Sequence, residues 1–124
     1  MSALHIGLLL AYSAGMSVGQ LLFKLAANSA FAASKDAAAT NQFVRLVLDP
    51  FFLCAISMYF ALSVMWVWIL SFTPLSRAYP FVAAAFIVTP LLGRFFFHEP
   101  LDLRFILGLA FIVAGLVLIV GRQA

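Results

Sequence analysis

Four long apolar stretches, separated by shorter polar segments, dominate the sequence. Together they contain one charged residue, Arg94. A helix of about 20 apolar residues crosses the ~30 Å hydrocarbon core of a bilayer, and each stretch has about that length. Apolar and polar residues do not alternate with period two, and lipid accepts only helices or closed barrels. The pattern predicts an all-α membrane protein with one domain over 1–124, whose transmembrane helices lie at about 3–25, 50–72, 77–97 and 103–121.

The connection between the first two predicted helices is long and rich in alanine, and its apolar end has two interpretations. The segment Phe43–Leu48 fits a short amphipathic helix at the membrane interface, or an early start of the second span. Pro50 is typical of the first turn of a helix.

Earlier in the same connection, Ala30-Phe31-Ala32 resembles a signal-peptide cleavage site. The region before the first apolar stretch has no Lys or Arg, however, so we expect that the first helix is not cleaved.

Composition narrows the class of protein. Of 124 residues, 66% are hydrophobic and 9% are charged, whereas soluble domains have about 45–50% and ~25%. So few charges cannot cover a soluble surface, which excludes a soluble enzyme and a disordered chain. The net charge of +3 is the difference between seven basic and four acidic residues, and the basic ones are scattered, which argues against nucleic acid as a partner. The single cysteine, Cys54, lies in an apolar run and is expected to face lipid or another helix.

The distribution of basic residues predicts an orientation. The first and third connections, with the adjoining Arg94, carry five Lys or Arg residues, whereas the termini and the second connection carry two. Because positively charged loops stay in the cytoplasm, both termini are expected outside it. The residues on the cytoplasmic side are Lys24, Lys35, Arg45, Arg94 and Arg104, and those on the other side are Arg77 and Arg122.

The first helix carries a polar stripe and an opposite face of small residues. The stripe residues are three or four positions apart, so they fall within about 60° of one another around the helix. In lipid, such a stripe faces protein or a water-filled cavity. It predicts either a substrate pathway or hydrogen bonds between helices, and for Gln20 and Lys24 we favour the pathway. The stripe consists of Ser13, Ser17, Gln20 and Lys24, and the small face consists of Ala11, Gly15 and Gly19.

Two basic residues lie near the ends of their predicted helices, on the same side of the bilayer. Lys24 follows the first apolar stretch, and Arg94 is close to the end of the third. With Arg45 they predict a cationic rim that suits a phosphate or pyrophosphate headgroup. The alternative is ordinary anchoring of the helices at the membrane interface.

Acidic residues occur only in the connections, as Asp36, Asp49, Glu99 and Asp102. A proton-coupled exporter usually needs a carboxyl group within the membrane, where burial raises its pKa into the working range. The sequence therefore argues against proton antiport through a buried acid. It also contains no constellation of a nucleophile with a base and no metal-ligand spacing, so we expect neither an enzyme nor a cofactor.

Residues near the third and fourth helices predict local structure. Ser76 suits the N-cap of the third helix, and Pro90 permits a kink within it. Glu99 and Asp102 precede the fourth helix, where negative charge favours the helix dipole.

The fourth helix carries Gly108 and Gly115, seven residues apart. Small residues at this spacing form a seam for close helix packing. Four short helices enclose little volume by themselves, so a transport pathway calls for a partner. We therefore expect the dimer contact at these two glycines.

Two segments resemble small multidrug resistance-type transporters of the drug/metabolite (EamA-like) superfamily. They are Pro-Leu-Ser-Arg-Ala-Tyr-Pro at 74–80 and Phe-Phe-His-Glu-Pro-Leu-Asp at 96–102. The resemblance implies a dimer of four-helix chains, often antiparallel, with its seam on the fourth helix. Drug exporters of this family have a Glu where this chain has Met16, and a Trp where it has Val82. Both departures argue against export of aromatic cations.

A closer resemblance is to the undecaprenyl-phosphate-aminoarabinose flippase subunits. It rests on Ser17-Val18-Gly19-Gln20 with Lys24, on Ala78-Tyr79-Pro80 and on His98-Glu99-Pro100. It implies a flippase, or flippase subunit, for a polyprenyl-phosphate-linked sugar in the bacterial inner membrane. Such a subunit forms a homodimer or a heterodimer with a related four-helix subunit.

On this hypothesis the headgroup moves along the stripe of the first helix while the lipid tail stays in the membrane. Lys24 and Arg94 contact the phosphate, Gln20 and Tyr79 contact the sugar, and Ser13 and Ser17 continue the pathway. Two other functions stay open. An exporter of small polar metabolites or drugs would depend on a proton gradient, and a non-transporting helical partner would co-purify with a larger membrane enzyme.

Overall fold

The computed structural model describes residues 2–32 and 39–123, and those residues form helices without any strand. The predicted all-α membrane class is confirmed. Lys35, which was counted for the orientation, and Asp36, one of the acidic residues of the connections, lie outside the described residues. The helices are α1 (Ala3–Ala32), α2 (Ala39–Leu48), α3 (Pro50–Leu70), α4 (Leu75–Val82), α5 (Ala85–Phe97) and α6 (Leu103–Gln123).

Four parts of the described chain are long and apolar enough to cross a membrane, namely α1, α3, α4 with α5, and α6. The largest departure from the predicted bounds is in α1, which ends at Ala32 rather than near residue 25. Lys24 does not end the helix, because lysine is a good helix former and its side chain is about half exposed. We call the end of the bundle where α1 ends and α3 begins the α2 end.

The apolar segment before Pro50 forms a separate short helix, α2, rather than an early start of α3. The two helices are separated at Asp49, whose backbone is extended. Its carboxylate accepts hydrogen bonds from the backbone N–H groups of Phe51, at 2.9 Å, and Phe52, at 3.4 Å. Asp49 is therefore the N-cap of α3, and Pro50 occupies the first turn as predicted.

The third span is broken at Ala83 and Ala84, between α4 and α5. Here the Phe86 N–H bonds to the carbonyl of Ala83 at 2.9 Å instead of to Val82, its partner in a continuous α-helix. The interruption thus lies about two turns before Pro90, and Pro90 itself is inside α5. The N-cap prediction for Ser76 is wrong, because the helix begins at Leu75 and Pro74 occupies the N-cap position.

The first helix is the centre of the bundle and packs against α3, α5, α4 and α2. The contact with α3 is close at Gly19, where an added Cβ would lie 2.7 Å from the Tyr59 ring. The small face of the first helix therefore meets α3 as predicted at Gly15 and Gly19, whereas Ala11 is exposed. In contrast, α6 makes its main contact with α4 and leaves most of its side chains exposed. Cys54 is exposed on α3, as expected for a residue facing lipid.

Candidate functional site

A cavity of about 740 Å³ lies between α1, the third span and the first half of α6. Its size is within the range of small-ligand sites. Its lining extends from Tyr79, in the second turn of α4 and far from the α2 end, to Phe105, in the first turn of α6 at the α2 end. The lining is largely apolar, and none of the described residues that form it is acidic. These residues are Met16, Gln20, Tyr79, Val82, Ala83, Ala85, Phe86, Thr89, Pro90, Phe105, Gly108, Leu109 and Ile112.

Three polar side chains of the cavity can meet a ligand with hydrogen-bonding groups. Gln20 presents an amide, and its side chain also hydrogen-bonds with the Tyr59 hydroxyl of α3. Tyr79 is 64% exposed, and its ring makes an edge contact with Trp66 at a centroid distance of 6.4 Å. Thr89 presents a hydroxyl from α5. The cavity therefore combines a few polar groups with an apolar wall, which is typical of sites for amphipathic ligands.

Ser13 and Ser17 are buried, with exposed fractions of 1% and 0%. Ser13 Oγ donates to the carbonyl of Val82 at 3.3 Å, which is the carbonyl left without its helical partner by the break. Ser17 Oγ donates to the carbonyl of Ser13 at 3.1 Å and accepts from Thr89 Oγ1 at 3.2 Å. The two serines therefore connect α1 to the broken span, and their role toward a substrate stays a prediction.

Replacing Ser13 with alanine is expected to destabilise the bundle by about 0.5–2 kcal/mol, because the Val82 carbonyl loses its hydrogen-bond partner. The measurement is the free energy of unfolding in mixed detergent micelles. Ser63→Ala is the matched control, since Ser63 is exposed and its Oγ donates only within α3, to the Tyr59 carbonyl. Equal losses of stability in both variants would contradict the proposed role of Ser13.

Met16 and Thr89 are cavity residues that the sequence did not mark as polar contacts. The Tyr59 hydroxyl donates to the backbone carbonyl of Met16 at 3.1 Å, which holds this part of α1 against α3. Thr89 has a sequence signal, since it is the only hydroxyl-bearing residue in the apolar stretch 80–97 and it directly precedes Pro90. Sequence spacing alone does not predict its contact with Ser17.

Lys24 has an acidic neighbour, Glu99, on the connection that follows α5. Its Nζ lies 3.8 Å from Oε1 of Glu99, and both side chains are about half exposed. Glu99 was expected to act on the dipole of the last helix, but its carboxylate instead lies near the end of α5 and faces α1. Asp102 does act on α6, because its carboxylate accepts a hydrogen bond from the Phe105 N–H at 2.9 Å.

The remaining predicted cations are exposed at the α2 end. Arg94 lies in the last turn of α5, and Arg45 lies on α2. Lys24 is one turn beyond Gln20 on α1, a rise of about 6 Å toward this end. Among the described residues no group of three or more His, Cys, Asp or Glu side chains could hold a metal ion.

The two glycines predicted for the dimer contact are in open surroundings. A Cβ added at either Gly108 or Gly115 would meet no atom within 4 Å. Gly108 lines the cavity, whereas Gly115 lies outside the described lining. Their part in a dimer stays a prediction. Gly108 also forms part of the cavity wall.

Comparison with known proteins gives a family and a set of named relatives. The model of the EamA-like transporter family matches residues 9–121. A probable 4-amino-4-deoxy-L-arabinose-phosphoundecaprenol flippase subunit ArnE of Pseudomonas paraeruginosa is 44% identical over 59 residues, 48% of this chain and 50% of that protein. A protein of the same description from Enterobacter sp. is 39% identical over 57 residues, 46% of this chain and 53% of its own. The chain thus spans about half the length of the curated relatives it matches. No solved structure matches it.

Proposed function

Because the chain belongs to the EamA-like transporter family, we propose that it is a flippase, or one subunit of a flippase, for a polyprenyl-phosphate-linked sugar. Its family and its four apolar spans make it a multi-pass membrane protein. The similar flippase subunits support both the substrate class and a place in the bacterial inner membrane. In this proposal the substrate resembles the aminoarabinose lipid in the names of those relatives.

The observation that carries the proposal is the cavity between α1, the third span and α6. It offers an amide and two hydroxyls to a ligand in an otherwise apolar wall, from Gln20, Tyr79 and Thr89. A sugar needs such hydrogen-bonding groups, and a prenyl chain is compatible with the apolar residues around them. Lys24 lies one turn beyond Gln20, where a cation suits the phosphate between sugar and lipid.

The proposed division of labour follows from these positions. Gln20 and Tyr79 contact the sugar inside the cavity, and Lys24 and Arg94 meet the phosphate at the α2 end. Ser13 and Ser17 hold the broken span beside the cavity through their bonds to Val82 and Thr89.

The described carboxylates support a mechanism other than proton exchange through a buried acid. Those of Asp49, Glu99 and Asp102 belong to the connections rather than to a cavity wall. Met16 lines the cavity at the position where the resemblance to drug exporters would require Glu. Transport that depends strictly on a proton gradient would favour the alternative, an exporter of small polar metabolites or drugs.

The proposal includes a second four-helix chain, either another copy or a related subunit. None of the residues in the apolar windows of the third and fourth spans is fully buried in the described chain. A partner on α6 would cover side chains such as Phe111 and Leu118, which are among the most exposed hydrophobic residues.

The test is transport of a fluorescent prenyl-phosphate-linked aminoarabinose in proteoliposomes, read by protection of the probe from external dithionite. Lys24→Ala combined with Arg94→Ala is expected to lower the initial rate at least about tenfold, because each charged contact contributes roughly 1.5–3 kcal/mol. Arg77→Ala combined with Arg122→Ala removes the same charge at the opposite end and should leave the rate close to wild type. Wild-type transport by the first double variant would refute the phosphate role of this rim.

A further inference from the structure

Glu99 occupies a defined position on the last turn of α5. His98 adopts the left-handed conformation with φ of 53°, and this turn reverses the chain after Phe97. The Glu99 N–H then bonds to the carbonyl of Gly93 at 3.4 Å. A left-handed residue directly after the last helical residue is a common way for a helix to end. The turn brings the Glu99 side chain back over α5 rather than forward onto α6.

The carboxylate of Glu99 lies where a side chain at position 93 would be. A Cβ added at Gly93 would lie 2.8 Å from Oε2 of Glu99 and 3.4 Å from its Cδ. Glycine therefore leaves the space that the carboxylate occupies. The other oxygen, Oε1, faces Lys24 of α1. The pair thus connects α1 to the chain just after α5, and both helices flank the cavity.

The ion pair is loose and accessible. Its N–O distance of 3.8 Å exceeds the 2.7–2.9 Å of a direct charge-assisted hydrogen bond. The exposed fractions of 49% for Lys24 and 48% for Glu99 leave room for another anion to approach the ammonium group. An exposed pair of this kind contributes at most about 1 kcal/mol, so an incoming phosphate can replace the carboxylate.

From this geometry we propose that Glu99 is an internal anion that occupies Lys24 until the phosphate of the substrate displaces it. The inference rests on the proposed function for the identity of the substrate. In the unloaded protein, Glu99 neutralises Lys24 at the α2 end of the cavity. A phosphate monoester or diester then takes over Lys24 with several oxygen acceptors, and Glu99 moves into solvent. A lipid without phosphate cannot make this exchange, so Glu99 contributes to the selection of phosphate-bearing ligands.

The proposal predicts that removing the competing charge tightens phosphate binding. The probes are a C15 prenyl monophosphate and the corresponding prenyl alcohol, titrated into the full chain in nanodiscs of zwitterionic lipid. Glu99→Gln is expected to tighten binding of the phosphate roughly two- to fivefold, the factor that corresponds to an exposed ion pair, and to leave binding of the alcohol unchanged. Lys24→Gln should reduce the preference for the phosphate to what Arg94 alone supports, and Glu99→Gln should have no further effect in that background.

Two further variants separate position from charge. Gly93→Ala keeps the carboxylate but displaces it from its position, so it should tighten phosphate binding in the same direction as Glu99→Gln. Asp102→Asn changes the net charge by the same amount, and asparagine preserves the N-cap of α6, so it should leave both affinities unchanged. Thermal unfolding of each variant verifies that the bundle is intact.

The opposite results would overturn the proposal. If Glu99→Gln weakens phosphate binding or leaves it unchanged in a folded protein, Glu99 does not compete for Lys24. If Glu99→Gln instead weakens binding of an amine-bearing phosphate lipid alone, Glu99 contacts a ligand cation and the displacement is likewise excluded. These outcomes are independent of transport, because an exchange detected by binding stands even if no flipping of the aminoarabinose probe is found.

Discussion

A tryptophan at position 108 is expected to reduce transport of the prenyl-phosphate-linked sugar to the rate of protein-free liposomes. Gly108 lines the cavity, and a Cβ there would meet no atom within 4 Å. The indole ring therefore enters open space without strain and fills the volume opposite Gln20 and Thr89. Because the sugar needs that volume, the block acts on transport rather than on folding. The measurement is the dithionite-protection assay in proteoliposomes.

Ala110→Trp is the matched control for this block. Ala110 is exposed two residues further along α6, so it points about 200° away from Gly108 around the helix. This variant adds the same ring to the outside of the bundle and should retain transport. Because Gly108 is also a candidate for the dimer contact, cross-linking must show an unchanged oligomeric state in Gly108→Trp. Wild-type transport by a stable Gly108→Trp protein would exclude the cavity as the pathway.

Alanine at position 19 is expected to destabilise the bundle by about 1–3 kcal/mol, the usual cost of overpacking. The new Cβ would lie 2.7 Å from Cε2 and 2.8 Å from Cζ of Tyr59. That ring cannot move freely, because it stacks on Phe23 at 5.1 Å and its hydroxyl bonds to the Met16 carbonyl. The measurement is the free energy of unfolding in mixed micelles.

Two other glycines of α1 provide graded controls. At Gly7 an added Cβ meets nothing within 4 Å, so Gly7→Ala should be neutral or stabilising by up to about 1 kcal/mol through helix propensity. At Gly15 the nearest atom is Cδ2 of Leu62, at 2.9 Å, and this flexible end can shift at little cost. Equal effects at all three positions would show that helix propensity, rather than the contact with Tyr59, determines the stability.

The helices and their polar stripe could be predicted because the bilayer imposes local rules on the sequence. A span needs about 20 apolar residues, so the uncharged stretches predicted α3 and α6 closely. Helical periodicity likewise placed Ser17 and Gln20 on neighbouring positions around α1. The third connection also follows from sequence in part, since Asp102 caps α6 from a position where acidic residues are expected.

Whether each polar side chain is buried or lines the cavity could not be predicted, because this depends on contacts between helices. Ser17 and Gln20 belong to one stripe, yet Ser17 is buried against Thr89 while Gln20 lines the cavity. Periodicity gives the angle around a helix, but the depth of a side chain depends on the neighbouring span. The break at Ala83 and Ala84 is the main example. It leaves the Val82 carbonyl without a helical partner, and the Ser13 hydroxyl donates a hydrogen bond to that carbonyl.

The order of residues along the chain is enough to specify four apolar spans, a cation at the end of the first and no acid within any of them, because burial of charge in lipid is costly at every position. The folded arrangement brings Glu99 to Lys24, since a left-handed residue at His98 and the space left by Gly93 direct its carboxylate backward. It also decided that α6 stands apart from α1 and α5 across a cavity. Such choices depend on how surfaces distant in sequence fit together, which no local pattern specifies.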